Sequence, residues 1–136
     1  MTNESARPLP VPSLESAPYW EAMNQGRLVL QRCAACGSLR HYPRSVCDHC
    51  YATESDWVEA SGRGRVQSWT VIHHAFHPGF KDALPYVLVI ADLEEGGRIQ
   101  APLRGAGADA LALDLPVRVL FERQPDGSVL PALSLA

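Results

Sequence analysis

Two Cys-x-x-Cys pairs, Cys33/Cys36 and Cys47/Cys50, hold every cysteine of this 136-residue chain, with ten residues between them. A Cys-x-x-Cys turn sets two thiolates on one side of a tight loop. Two such turns facing each other supply the four sulfurs of a closed tetrahedral Zn²⁺ site. Gly37 follows the first pair, where the backbone must turn back and a residue without Cβ is useful. Tyr51 stands at the equivalent place after the second pair, which weakens that half of the signature. Four coordinating cysteines leave no open position for water or substrate, so a zinc held this way is structural.

Other uses of four cysteines make different demands. Disulfides need an oxidising compartment, and Met1 to Pro12 has no apolar core of a secretory signal, which points to a cytoplasmic protein. A redox Cys-x-x-C is usually a single pair beside a βαβ unit, and the pattern has none. Iron in a rubredoxin-like S₄ site uses the same ligands as zinc, so the ligand set does not separate the two metals.

Length fits one ordinary domain, or a small domain plus a metal-stapled module. No apolar run approaches the roughly 18 residues of a membrane span. The formal net charge is −3, and four thiolates with one Zn²⁺ would take it to −5. An acidic balance argues against a general binder of phosphate backbones. Eleven of the twelve basic residues are Arg, and six of these fall between Arg27 and Arg65. Arg suits bidentate contacts with phosphate or carboxylate, although a run of charge is commonly a solvated face.

In chain order, residues 1–15 carry Pro8, Pro10 and Pro12 and read as an extended, mobile arm. Ser16 to Gln25 reads as a short helix with Ser16 as N-cap, Pro18 in the first turn and Gly26 as the stop. Its aromatic face, Tyr19 and Trp20 with Met23, must dock on the rest of the chain or on a partner. Arg27 to Arg32 alternates as a strand entering the first cysteine pair. Residues 16–61 are thus expected to form a helix and a metal-stapled module. Trp57 is expected as core at the seam, and Ser61-Gly62-Arg63-Gly64 marks the boundary.

Residues 62–136 have an all-β texture. Strands are expected over Val66–Phe76, Tyr86–Leu93, Arg98–Leu103, Val117–Glu122 and Ser128–Leu133, with a helical turn near Ala108 to Leu113. Five strands with a short helical insert after the third form the pattern of an OB-fold barrel. The fold class is therefore mainly β: a short N-terminal helix, a four-cysteine metal-stapled module and a five-stranded OB-fold barrel.

Catalytic signatures are missing from the pattern. There is no nucleophile elbow and no glycine-rich phosphate loop. Glu94 and Glu95 would face opposite sides of a strand. On a strand His73 and His77 would lie about 13 Å apart, at roughly 3.3 Å per residue, too far to share an ion. The long loop from His74 to Pro85, with Phe76, His77, Phe80 and Lys81, reads either as a binding surface or as a satellite cluster folded on the barrel.

Tyr19-Trp20, Gly26 to Gly37 with its cysteine pair, Pro43-Arg44, Cys47 to Cys50, Trp57, Ser61-Gly62, Gly64, Val66, Ser68 to Thr70 and Pro85-Tyr86 together resemble the family catalogued as domain of unknown function 35. The resemblance runs from about Tyr19 to the C-terminus. It implies an N-terminal helix and rubredoxin-like zinc ribbon, with Cys33, Cys36, Cys47 and Cys50 as ligands, joined to an OB-fold. Members of that family are typically partners of thiolase-superfamily enzymes. The implied role is a non-catalytic accessory subunit that binds and stabilises a thiolase-like acyl-CoA enzyme, a thiolase or a sterol side-chain retro-aldolase, and helps hold acyl-CoA. Candidate contacts with partner or acyl-CoA are then Tyr19, Trp20, Arg44, His77, Phe80 and Lys81. A nucleic-acid-binding zinc-ribbon OB-fold protein is the alternative, and the acidic charge counts against it. Tyr51, the Asp114 to Val117 segment and the tail from Leu130 depart from the family pattern.

Overall fold

Burial in the computed structural model, which describes residues 7–136, explains why the chain alternates where it does. Within residues 62–136 the inward positions are small or branched apolar residues, and they close a five-stranded barrel. Its strands are β4 (Arg63–Ile72), β5 (Tyr86–Leu93), β6 (Arg98–Arg104), β7 (Pro116–Arg123) and β8 (Val129–Leu135), in the order β4-β5-β6-β8-β7. All pairings are antiparallel except β6 with β8. Val66, Val89, Ala91, Leu93, Ile99, Ala101, Leu103, Val117, Val119, Val129 and Leu133 fill the interior.

Closure occurs at Gly64, which pairs with Leu93 of β5 on one side and Val117 of β7 on the other. A Cβ at this position would lie 2.5 Å from the Asp92 carbonyl oxygen, so the close approach of strands requires glycine here. A bulge between Val66 and Ser68 then lets β4 keep its apolar side inward as it bends.

The preceding segment forms a second, three-stranded sheet, β2-β1-β3, from β1 (Leu28–Cys33), β2 (Leu39–Arg40) and β3 (Ser55–Ala60). The alternation of Leu28 and Leu30 announces β1. Neither the two-residue β2 nor the polar β3 carries a comparable pattern, and pairing with β1 creates both. Leu28 and Leu30 belong to the same core cluster as the barrel interior, so the small sheet is anchored through β1. Only Ser61 and Gly62 separate β3 from β4.

Helix α1 (Ala17–Asn24) lies where Pro18 and Gly26 place it, but its N-terminus differs from expectation. The Ser16 side chain caps no helical amide; Ser13 and Ser16 instead bond to each other, with Ser13 N donating to Ser16 Oγ at 2.9 Å and Ser16 N to Ser13 Oγ at 3.2 Å. Gly26 takes φ +75° and its N–H returns to Met23 O at 3.0 Å, as a helix stop should. The helix packs on β1 and β8, where Asn24 Oδ1 accepts the Val129 amide at 3.0 Å. Of the expected arm, residues 1–6 lie outside the described residues, and residues 7–12 have no regular secondary structure. Among the described residues no helix is long and apolar enough to cross a membrane.

Candidate metal centre and interaction surface

The two cysteine turns repeat one hydrogen-bond pattern. After Cys33, the Gly37 amide donates to Cys33 O at 3.0 Å and the Cys33 amide to Ser38 O at 2.9 Å. After Cys47, the Tyr51 amide donates to Cys47 O at 3.0 Å and the Cys47 amide to Ala52 O at 2.9 Å. Both turns need a left-handed residue at the same place, and Gly37 (φ +76°) and Tyr51 (φ +63°) supply it. Tyr51 therefore does a glycine's task in a conformation that costs a side-chain-bearing residue roughly 1–2 kcal/mol.

The turns bring four sulfurs together. The Sγ atoms all lie within 4.8 Å of one another, with Cys33 to Cys50 at 3.5 Å and Cys36 to Cys47 at 3.7 Å. These separations are far longer than a disulfide bond, and all four cysteines are free. A tetrahedral zinc with bonds of roughly 2.3 Å needs sulfurs about 3.8 Å apart. The set thus fits a tetrathiolate metal ion. Among the described residues it is also the one group of three or more His, Cys, Asp or Glu side chains that converges this way.

Electrostatics point the same way. Amides inside the turns favour thiolate: that of Cys36 chiefly lowers the Cys33 pKa, and that of Cys50, helped by the Ser38 hydroxyl, pushes Cys47 down to about 5. Cys50 moves oppositely, up to about 11. The Ala52 amide pulls it down but is outweighed by the neighbouring sulfur of Cys33 and by burial. Four crowded sulfurs cannot all ionise against one another, and a divalent cation at their centre removes that conflict.

The other candidate residues separate into buried and exposed groups. Of the two expected docking sites for the aromatic face, the chain itself takes Tyr19, which is therefore no exposed partner contact: it is buried in the core, its ring 4.9 Å from Trp20 and 5.0 Å from His41. Trp20 is half-buried against the same core. A helix of eight residues cannot hold an aromatic face in water, so it spends that face on β1 and β8. Trp57 packs against the core as well.

The loop between β4 and β5 divides its two phenylalanines. A 3₁₀ segment, Pro78–Ala83, folds Phe80 back so that it packs 6.0 Å from Tyr86 and under the Arg7 guanidinium, 5.2 Å from the ring centre. Phe80 therefore lines a cavity of about 250 Å³ on the barrel with Tyr86, Leu88 and Pro102, rather than projecting as a contact residue. His77 starts the 3₁₀ segment, its Nδ1 accepting the Gly79 amide at 2.9 Å. Phe76 is the residue left in solvent, 93% exposed. It borders a concave surface of about 570 Å³ with His73, His74, Lys81 and Leu84. Arg44 is exposed, and its side chain makes no hydrogen bond among the described residues.

Sequence reasoning missed Arg40 and His41. Arg40 is buried and His41 half-buried, with Arg40 Nη1 and both His41 ring nitrogens shut off from solvent. Beside them Tyr42 accepts the Gln100 amide of the barrel through its hydroxyl at 3.3 Å. Only the two-residue β2 places them there, and no local pattern signals it.

Comparison with known proteins assigns the two halves of the chain to two adjoining domains. Residues 20–56 match the ChsH2 rubredoxin-like zinc ribbon domain, and residues 57–122 match the ChsH2 C-terminal OB-fold domain. The "probable enoyl-CoA hydratase alpha subunit" of Thermomonospora curvata is 43% identical over 84% of this chain and 35% of its own length. The "3-oxo-4,17-pregnadiene-20-carboxyl-CoA hydratase alpha subunit" of Mycobacterium tuberculosis is 36% identical over 88% of this chain and 38% of its own. This chain thus spans little more than a third of those two relatives. The "benzoylsuccinyl-CoA thiolase subunit BbsA" of Geobacter metallireducens is 35% identical over 54% of this chain and 48% of that protein. A solved structure titled "Ltp2-ChsH2(DUF35) aldolase" contains a chain 38% identical, superposing with a TM-score of 0.82 over 93% of this chain and 98% of that one. The zinc-ribbon and barrel matches, with that near-complete superposition, show that this chain belongs to the ChsH2/DUF35 family.

Proposed function

We propose that this chain is a non-catalytic accessory subunit that binds and stabilises a thiolase-fold acyl-CoA enzyme, a thiolase or a sterol side-chain retro-aldolase. The observation that carries the reading is the match, over 98% of its length, to the DUF35 chain of an aldolase complex. The BbsA relative, a thiolase subunit by name, supports the same enzyme class. In this reading residues 16–61 are a zinc ribbon with Cys33, Cys36, Cys47 and Cys50 as zinc ligands, and residues 62–136 are the barrel that meets the enzyme. The ion's part is to hold the two turns together. The contact surface centres on Phe76, with Lys81 and the adjoining histidines beside it, because a large apolar side chain left in water is a ready interface anchor. Acyl-CoA held at the shared interface would meet Arg44 and Lys81, the exposed cations among the candidate residues.

Co-expression with a thiolase-fold enzyme from the same genome, followed by size-exclusion chromatography and metal analysis, tests this. Co-elution at a fixed ratio with one zinc per chain is expected. Separate elution, or a chain containing iron instead, removes the corresponding part of the proposal.

A further inference from the structure

Four buried side-chain nitrogen or oxygen atoms among the described residues have no hydrogen-bond partner, and three of them belong to two adjacent residues: Arg40 Nη1 and both ring nitrogens of His41. Buried polar atoms are nearly always satisfied, so a cluster of exceptions asks what is meant to sit beside them. Arg40 and His41 line the same cleft of about 350 Å³ between ribbon and barrel, together with Arg44, Asp48, Asp92 and Arg98.

The charges in this cleft are unbalanced in one sense. Arg98 is paired with Asp92, Nε to Oδ1 at 2.7 Å. Arg40 is 6% exposed and donates only to neutral acceptors, Nε to Gln31 Oε1 at 2.8 Å and Nη2 to the Arg44 carbonyl at 3.1 Å. Among the described residues no carboxylate forms an ion pair with it, and no cysteine sulfur accepts a hydrogen bond from it. A buried guanidinium without a counter-anion is costly, whereas one facing an oxyanion is strongly favourable. A loaded tetrathiolate would add negative potential nearby, but it offers Arg40 no acceptor. Among the residues that line it, three guanidinium groups stand against the two carboxylates of Asp48 and Asp92, one positive charge in excess before the loaded cysteine site is counted.

We propose that this cleft is a binding site for the carboxylate of a small organic acid. A monoanion matches the one excess charge of the lining, and it is repelled less by Asp48, Asp92 and the loaded tetrathiolate than a phosphate dianion would be. The planar fork of Arg44, whose side chain is otherwise uncommitted, matches a carboxylate edge to edge. Arg40 stands in the cleft wall, fixed by Gln31 and the Arg44 carbonyl with Nη1 uncommitted, as an immobile charge that needs no reorganisation when the anion arrives. Arg98 and Asp92 form the opposite rim on the barrel, so an occupant would bridge ribbon and barrel.

The test uses the zinc-loaded full chain labelled with ¹⁵N, titrated with sodium acetate against sodium chloride of equal ionic strength, and separately with inorganic phosphate. Saturable shifts of the Arg40, Arg44 and Arg98 Nε–Hε signals with acetate alone are expected, in the millimolar range. Arg44→Gln should weaken the affinity at least tenfold, and Arg123→Gln should leave it unchanged, since Arg123 is bonded to the Gly127 carbonyl in another turn. Shifts that fail to saturate, that appear equally at Arg123, or that survive Arg44→Gln would overturn the site. Tighter binding of phosphate than of acetate would overturn its assignment to carboxylates. No partner enzyme is needed, so the result is independent of the accessory-subunit reading.

Discussion

The ribbon and the barrel are both small sheets, yet they are held together by different means. The barrel closes on itself, and its strands share an interior of aliphatic residues. The ribbon has three strands, one of them two residues long, and outside β1 it contributes little to the common core. Its turns converge on four sulfurs instead. A region too thin to bury enough apolar surface needs a staple, and the contrast shows where in this chain the staple is needed.

Removing the metal breaks the comparison most sharply. Structural zinc contributes on the order of 10 kcal/mol to small domains that depend on it. Cys33→Ser, or chelation of the metal, should therefore unfold residues 33–55 while the barrel amides stay protected. Hydrogen exchange read by mass spectrometry checks this, and simultaneous loss of protection in β5 and β6 would show that the barrel also depends on the ribbon. Acid should act alike. Protons compete with the metal for the four thiolates, so acid releases it and should open the same segment.

The converse lesion lies in the barrel. Ile99 is 1% exposed inside it, and Ile99→Ala should cost about 3 kcal/mol through lost burial and a cavity. Denaturant titration should show that loss with metal content unchanged.

At the seam, burial holds the His41 pKa down to about 4 from 6.5. The unfolded chain takes up that proton more readily, so the contribution is complete above about pH 6.5 and disappears as pH falls through 4, a loss of roughly 3 kcal/mol. His41→Phe, which keeps the ring between Tyr19 and Tyr42, should flatten stability between those pH values while changing it little at pH 7. An unchanged pH slope would mean that His41 is accessible to water.

Phe76→Ala should weaken the proposed enzyme complex by about 2 kcal/mol if it anchors the interface. Phe76 is exposed, so the melting temperature of the free chain should not move. The smallest effect sharpens the comparison within the ribbon itself. Tyr51→Gly should raise stability by about 1 kcal/mol, and Gly37→Ala should lower it by a similar amount, because both positions require the same left-handed backbone. Thermal melts of the zinc-loaded protein would read both changes.

How much was legible in the residues depended on the range of the physics. The cysteine spacing, the helix between Pro18 and Gly26 and the existence of five barrel strands were readable, because ligand geometry, turn chemistry and alternation act over a few residues. The first strand, expected over Val66–Phe76, instead runs Arg63–Ile72, so His73 and His77 lie beyond it. β2 and β3 were not, since neither has a pattern apart from its pairing with β1.

The sequence alone determined the four-sulfur set, the all-β texture and the resemblance that leads to the family. Tertiary structure decided which side chains meet water. Tyr19 and Phe76 are both aromatics that looked ready for a partner, yet one is 3% and the other 93% exposed. Arg40 and His41 carry no local signal, yet they hold side-chain nitrogens buried without partners. Burial is a property of what packs opposite a residue, and here the opposing surfaces come from the barrel strands and the β5–β6 turn, more than fifty positions further along the chain.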